Sequence, residues 1–169
     1  TIERTESYKT ISQRNLFDVE YWSLEQAKIK KINKDLLGNI VVITGGTGVI
    51  GEAALKLFKS QGAEVIVIDI NEKQLEIIKD KYNILTILCD VTNKKSVASA
   101  FNRIVNKYGG IDILISNAGI APQGPIAEVS EDLLRKSFEV NFFSHQNCAS
   151  VATNITVSYT HLTLPTTWL

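Results

Sequence analysis

The residues best suited to chemistry lie in one run, Thr44-Gly45-Gly46-Thr47-Gly48-Val49-Ile50-Gly51. Within it Gly46-x-Gly48-x-x-Gly51 has the spacing of a turn that receives a dinucleotide. One glycine allows the tight turn. Another removes the Cβ that would block a pyrophosphate, and the third lets the next helix pack close to the preceding strand. Backbone N–H groups and the helix dipole then meet the phosphates. Asp69, followed by Ile70, lies eighteen residues beyond Gly51. A carboxylate there accepts hydrogen bonds from ribose hydroxyls and repels an added 2′-phosphate. No Arg or Lys stands in the glycine loop or directly after Asp69 to neutralise such a phosphate. The expected cofactor is therefore NAD and not NADP.

Such residues need a scaffold of strands and helices in alternation. Ile40–Thr44 is a short apolar, β-branched run, as a buried parallel strand should be. The helix after the glycine loop carries Ala53, Ala54, Leu57 and Phe58 on one face and stops at Gly62. A second strand is expected over 64–70. Asn71 opens a helix bearing Leu75, Ile78 and Tyr82, and a third strand covers 84–90. A helix over about 94–108 presents Val97, Phe101, Ile104 and Val105, and a fourth strand covers 111–116. Ser130 caps a long helix running through Phe138 toward Ala152. Strand–helix alternation with apolar strands predicts an α/β fold with a doubly wound parallel sheet, the Rossmann arrangement, truncated after about four strands.

Composition narrows the class. Eighteen basic residues balance eighteen acidic ones, so no net field attracts nucleic acid or anionic lipid. The longest uncharged stretch, 140–169, is rich in Ser, Thr and Asn and is no membrane span. Cys89 and Cys148 have neither metal nor redox spacing and read as buried free thiols of a cytoplasmic protein. With no Met and an opening Thr1, the chain reads as a fragment lacking its natural start. Residues 1–37 are charged and Gly-poor, a linker or surface strap in which Ser23 and Gln26 could cap a short helix. Residues 38–155 form the expected partial dinucleotide-binding domain.

The motifs together resemble the short-chain dehydrogenase/reductase family over roughly 38–152. They are TGGTGVIG, Asp69, the CDV of Cys89–Val91, the SNAG of Ser116–Gly119 and the VNF of Val140–Phe142. The resemblance implies that Asp90, beside Val91, contacts the adenine ring. It implies that Asn117, Ala118 and Gly119 border the adenosine and brace the central strands. Asn141 would be the helix asparagine that holds a water in the proton relay, with Val140 beside it on the cofactor wall; bracing and helix-kinking remain the alternative readings of Asn117 and Asn141. His145 is read as packing. Two departures stand out. The TGxxGxxG spacing is that of the longer sugar-nucleotide epimerase branch, whereas the shorter branch would put glycine at Val49. The family's catalytic Ser and Tyr-x-x-x-Lys lie beyond the asparagine helix, but here the later tyrosine, Tyr159, has Thr163 four residues on, and no lysine follows Lys136.

The leader resembles a further family. Glu20–Lys31, EYWSLEQAKIKK, is similar to the joint in bacterial fusions of a class II sugar-phosphate aldolase to a short-chain dehydrogenase, of the rhamnulose-phosphate aldolase/lactaldehyde dehydrogenase type. At the other end, VSYTHLTLPT resembles a translated sequencing adapter, so 156–169 is read as a non-native tail. The expected function is an NAD-dependent dehydrogenase acting on a small hydroxy, carbonyl or sugar-derived substrate, its intact parent a homo-oligomer without nucleic-acid or membrane partners. The alternatives are an epimerase or reductase of the longer branch and a non-catalytic NAD-binding module.

Overall fold

The computed structural model describes residues 34–125 and 127–155. The chain divides into two compact units, Thr1–Lys34 and Asp35–Leu169, and the fold described is that of the second. The leader helix and the tail lie outside the described residues.

Four parallel strands form the sheet: β1 (Ile40–Thr44), β2 (Glu64–Asp69), β3 (Leu85–Leu88) and β4 (Ile113–Ser116), in the order β3-β2-β1-β4. In register, Val42 lies beside Ile66 on one side and Leu114 on the other. The helices are α1 (Val49–Ser60), α2 (Glu72–Tyr82), α3 (Lys94–Tyr108), α4 (Glu131–Phe138) and α5 (Ser144–Thr153). Strands β3 and β4 are shorter than their apolar runs: Ile84, Cys89 and Ile111 are buried but lie beyond the ladder. Burial, and not pairing, accounts for their apolar character.

Alternation along each strand divides the core into two layers. Val41, Ile43, Val65 and Val67 pack with Leu55 of α1 and with Leu75 and Ile78 of α2. Val42, Ile66, Ile68 and Ile87 pack on the opposite face with Val97, Phe101 and Ile104 of α3 and with Cys148, Val151 and Ala152 of α5. Both faces are covered, which is why the strands are continuously apolar. Leu57, expected on the buried face of α1, is 60% exposed. The helix turns Leu55 inward instead, with Ala54 and Phe58 half-buried beside it.

Local signals set the helix ends. Asn71, Asn93 and Ser130 each accept a backbone N–H in the first turn of the helix they precede. α1 stops at Gly62, whose φ of +89° is left-handed. α2 stops at Asn83, with φ +48°, where no glycine marks the boundary. The long helix expected from Ser130 is interrupted by a π-helical turn at Glu139–Phe143, between α4 and α5. This insertion re-aims α5, which packs on α3 and β4.

Because α1 and α2 cover one face and α3 the other, the winding direction reverses between β1 and β4. A ligand crevice opens at such a reversal, beyond the carboxyl ends of the strands.

Candidate functional site

A cleft of about 650 Å³ lies at that edge. Thr44 aligns with Ile68 and with Ser116, so the segments leaving β1, β2 and β4 emerge side by side. The cleft is lined by Gly45, Thr47, Gly48, Val49, Ile50 and Gly51 from the glycine loop and α1. Asp69 and Ile70 line it at the end of β2, Asp90 and Val91 after β3, Asn117, Ala118 and Gly119 after β4, and Val140 from the π turn. Three expected site residues, Thr44, Gly46 and Asn141, are not on its wall, and each has a structural contact instead.

Thr44 is buried, and its Oγ1 accepts the N–H groups of Asn117 at 3.0 Å and Ala118 at 3.1 Å. Asn117 returns the contact, its Nδ2 donating to the carbonyls of Thr44 at 3.2 Å and Gly45 at 3.1 Å. These bonds tie β1 to β4 across the reversal. The side-chain amide of Asn117 therefore braces the crevice, while the residue itself still borders it.

The glycine loop is shaped by close approach. Gly45 has φ +63°, and a Cβ there would lie 2.7 Å from Ala118 Cα. A Cβ on Gly46 would lie 2.6 Å from Val67 Cγ1, and one on Gly51 2.6 Å from Gly46 Cα. Gly48 differs: the nearest atom to its Cβ position is Gly45 O at 3.5 Å, so it opens on the cleft. It is also the N-cap of α1 and offers no side-chain acceptor. The first-turn N–H groups of a helix have no intrahelical partners. At α1 they and the positive end of the dipole meet the cleft, which suits an anion.

Asp69 faces this loop. Its Oδ2 accepts Thr47 Oγ1–H at 2.7 Å and Thr47 N–H at 3.2 Å, and its Oδ1 accepts Asn71 N–H at 3.0 Å. Asp90 Oδ1 accepts Thr92 N–H at 2.9 Å and Thr92 Oγ1–H at 2.7 Å, shaping the turn into α3. Asn141 sits in the π turn and bonds both backbone groups of Ile120.

Several residues on the wall escaped sequence reasoning: Asn71, Cys89, Thr92, Ile120 and Lys136. Lys136 is one helical turn before Val140, and that spacing was the available signal. His145, read as packing, also pairs its Nδ1 with Ser116 Oγ at 2.6 Å. Cys89 and Cys148 are buried free thiols. Burial pushes both thiols up, Cys148 to about 12 with the nearby Cys89 adding to the effect. Neither is a ready nucleophile.

The family model for short chain dehydrogenase matches residues 39–158. That for the second domain of class II aldolases matches residues 1–29, in keeping with the resemblance of the leader. The chain is 36% identical over 132 residues to the uncharacterized oxidoreductase YuxG of Bacillus subtilis (strain 168), covering 73% of the chain and 19% of that protein. It is 37% identical over 110 residues to short-chain dehydrogenase reductase 3a of Arabidopsis thaliana, covering 62% of the chain and 42% of that protein. A solved short-chain dehydrogenase/reductase from Brucella melitensis superposes with a TM-score of 0.68 at 25% identity, over 71% of this chain and 52% of that one. The chain thus spans from about a fifth to about two fifths of the length of these curated relatives. Among the described residues, no helix is long and apolar enough to cross a membrane.

Proposed function

The chain belongs to the short-chain dehydrogenase family, and on that premise we propose that its cleft binds NAD. The observation that carries this reading is the convergence of an uncapped α1 and the Asp69 carboxylate on one cleft. Gly48 and the first turn of α1 would hold the pyrophosphate, since they offer room and a positive dipole end. Asp69 would accept the adenosine ribose hydroxyls, and Asp90, Val91 and Val140 would border the adenine. Gly119 and Ile120 continue the wall toward the nicotinamide end. A 2′-phosphate on the ribose would meet Asp69 with no cation from the glycine loop to offset it. When bound, the dinucleotide would supply hydride-transfer chemistry. The residues of this chain bind and orient it.

In this reading hydride transfer to or from a small hydroxy, carbonyl or sugar-derived compound is an activity of the whole protein, a cytoplasmic homo-oligomer with an aldolase-type segment ahead of residue 38. A second reading is a binding module without turnover. The glycine spacing with Val49 supports a third, the epimerase branch. Titration calorimetry of the chain with NAD and NADP tests the binding claim: the expected result is a measurable Kd for NAD and a weaker one for NADP. Equal affinity for both removes the role given to Asp69, and no heat with either removes the site. Turnover assays with hydroxy substrates separate the dehydrogenase from the module.

A further inference from the structure

Asp69 does more than end a strand near a ribose, because its carboxylate is held from two sides. An ionised carboxylate offers about four acceptor positions, two on each oxygen. Both positions on Oδ2 are taken within the protein, by Thr47 Oγ1–H at 2.7 Å and Thr47 N–H at 3.2 Å. One on Oδ1 is taken by Asn71 N–H at 3.0 Å. A single acceptor position is left on Oδ1 for a ligand. Thr47 belongs to the glycine loop and Asn71 to the segment leaving β2, so the group is fixed between the two walls of the cleft that the ribose must enter.

We propose that Thr47 is a specificity-determining positioning residue, whose hydroxyl clamps the Asp69 carboxylate in place against a 2′-phosphate. The inference rests on the dinucleotide reading above and deepens it. An unclamped aspartate can rotate toward solvent when a phosphate dianion approaches, and the repulsion is then relieved at small cost. A clamped one must first break a hydrogen bond to a charged acceptor, among the stronger bonds a protein makes. The discrimination therefore resides in the Thr47–Asp69 pair and not in the carboxylate alone. The same bond orients Oδ1 toward the ribose hydroxyl, so the clamp also favours NAD.

The test is the ratio of Kd values for NADP and NAD, measured by calorimetry on the full chain. Thr47→Val keeps the side-chain shape and the backbone N–H bond but deletes the hydroxyl donor. It should lower the NADP/NAD ratio by about tenfold, the loss of one charge-assisted hydrogen bond. Most of the change should appear as tighter NADP binding. Thr47→Ser should restore the wild-type ratio. Thr47→Ala repeats the measurement without the β-branch, and a thermal melt of each variant reports folding. A Thr47→Val or Thr47→Ala protein that is folded, binds NAD and keeps the wild-type ratio overturns the clamp while leaving the NAD site standing. Failure of Thr47→Ser to restore the ratio also overturns it. A wild-type chain that binds neither dinucleotide overturns the site and the clamp together.

Discussion

The side chain of Asn141 closes a ring of two hydrogen bonds with the backbone of Ile120: its Oδ1 accepts Ile120 N–H and its Nδ2 donates to Ile120 C=O, each at 2.8 Å. The bond pair joins the π turn to the segment leaving β4, which lines the cleft through Gly119 and Ile120. A Cβ on Gly119 would lie 3.2 Å from Asn141 Oδ1, so the two segments are in close contact. Asn141→Ala should cost on the order of 1–2 kcal/mol of stability, from two modest hydrogen bonds. Urea melts of the two proteins measure it. An unchanged midpoint would mean that the contact contributes nothing to the fold.

Gly48 and Gly51 separate binding from folding. Gly51→Ala pushes a methyl to within 2.6 Å of the Gly46 backbone and should destabilise by about 1–3 kcal/mol, as overpacking does. Gly48→Ala meets nothing closer than 3.5 Å and should leave stability within about 0.5 kcal/mol of wild type. Its methyl enters the cleft, so NAD binding should fall even though the melt does not. Paired melts and titrations decide this, and equal destabilisation by both substitutions would contradict it.

Glu52 gives a pH signature. It receives Lys81 Nζ at 2.8 Å, Tyr82 Oη–H at 2.5 Å and Lys56 Nζ at 3.3 Å. These contacts, Lys81 first, lower its pKa from 4.5 to about 2. A lowered carboxyl pKa adds stability above the unfolded value, and that stability is lost as pH falls through the folded one. The stability gap between wild type and Glu52→Gln should therefore be full above about pH 4.5 and close toward about pH 2. It should be small, because Glu52 is only half-buried and its lysine partners are exposed and screened. Denaturant midpoints across that range check the sign.

Lys136 is an exposed cation on the wall of a cleft otherwise edged by Asp69 and Asp90. Lys136→Ala should weaken NAD binding about two- to fivefold at low salt, the ordinary scale of an exposed charge. The difference should fade as ionic strength shortens the Debye length. A loss independent of salt would point to a packing role for its aliphatic stem.

Much of this was legible from residue order because each strand is followed directly by a cleft residue. The glycine loop and Asp69 follow from where an apolar run stops, whereas Asp90 and Asn117 follow from the motifs shared with the family. The helix starts at Asn71 and Ser130 were equally plain, since these residues cap by chemistry that is local. What could not be read is what depends on distant partners. The π turn is one case, because Asn141 bonds Ile120, twenty-one residues away in sequence. The exposure of Leu57 and the trimming of β3 are others, set by which neighbour the sheet supplies and not by hydrophobicity alone.

The central claim, that the cleft between the glycine loop and the ends of β2, β3 and β4 holds a dinucleotide, is tested most directly by NAD titration of the isotope-labelled chain, followed in amide NMR spectra. The account expects shifts at Gly45, Gly48, Ile70, Val91 and Gly119, with none at Glu76 and Lys79 on the exposed side of α2. Saturation should be reached with NAD at lower concentration than with NADP. Spectra that do not change, or shifts confined to residues away from the cleft, would contradict it.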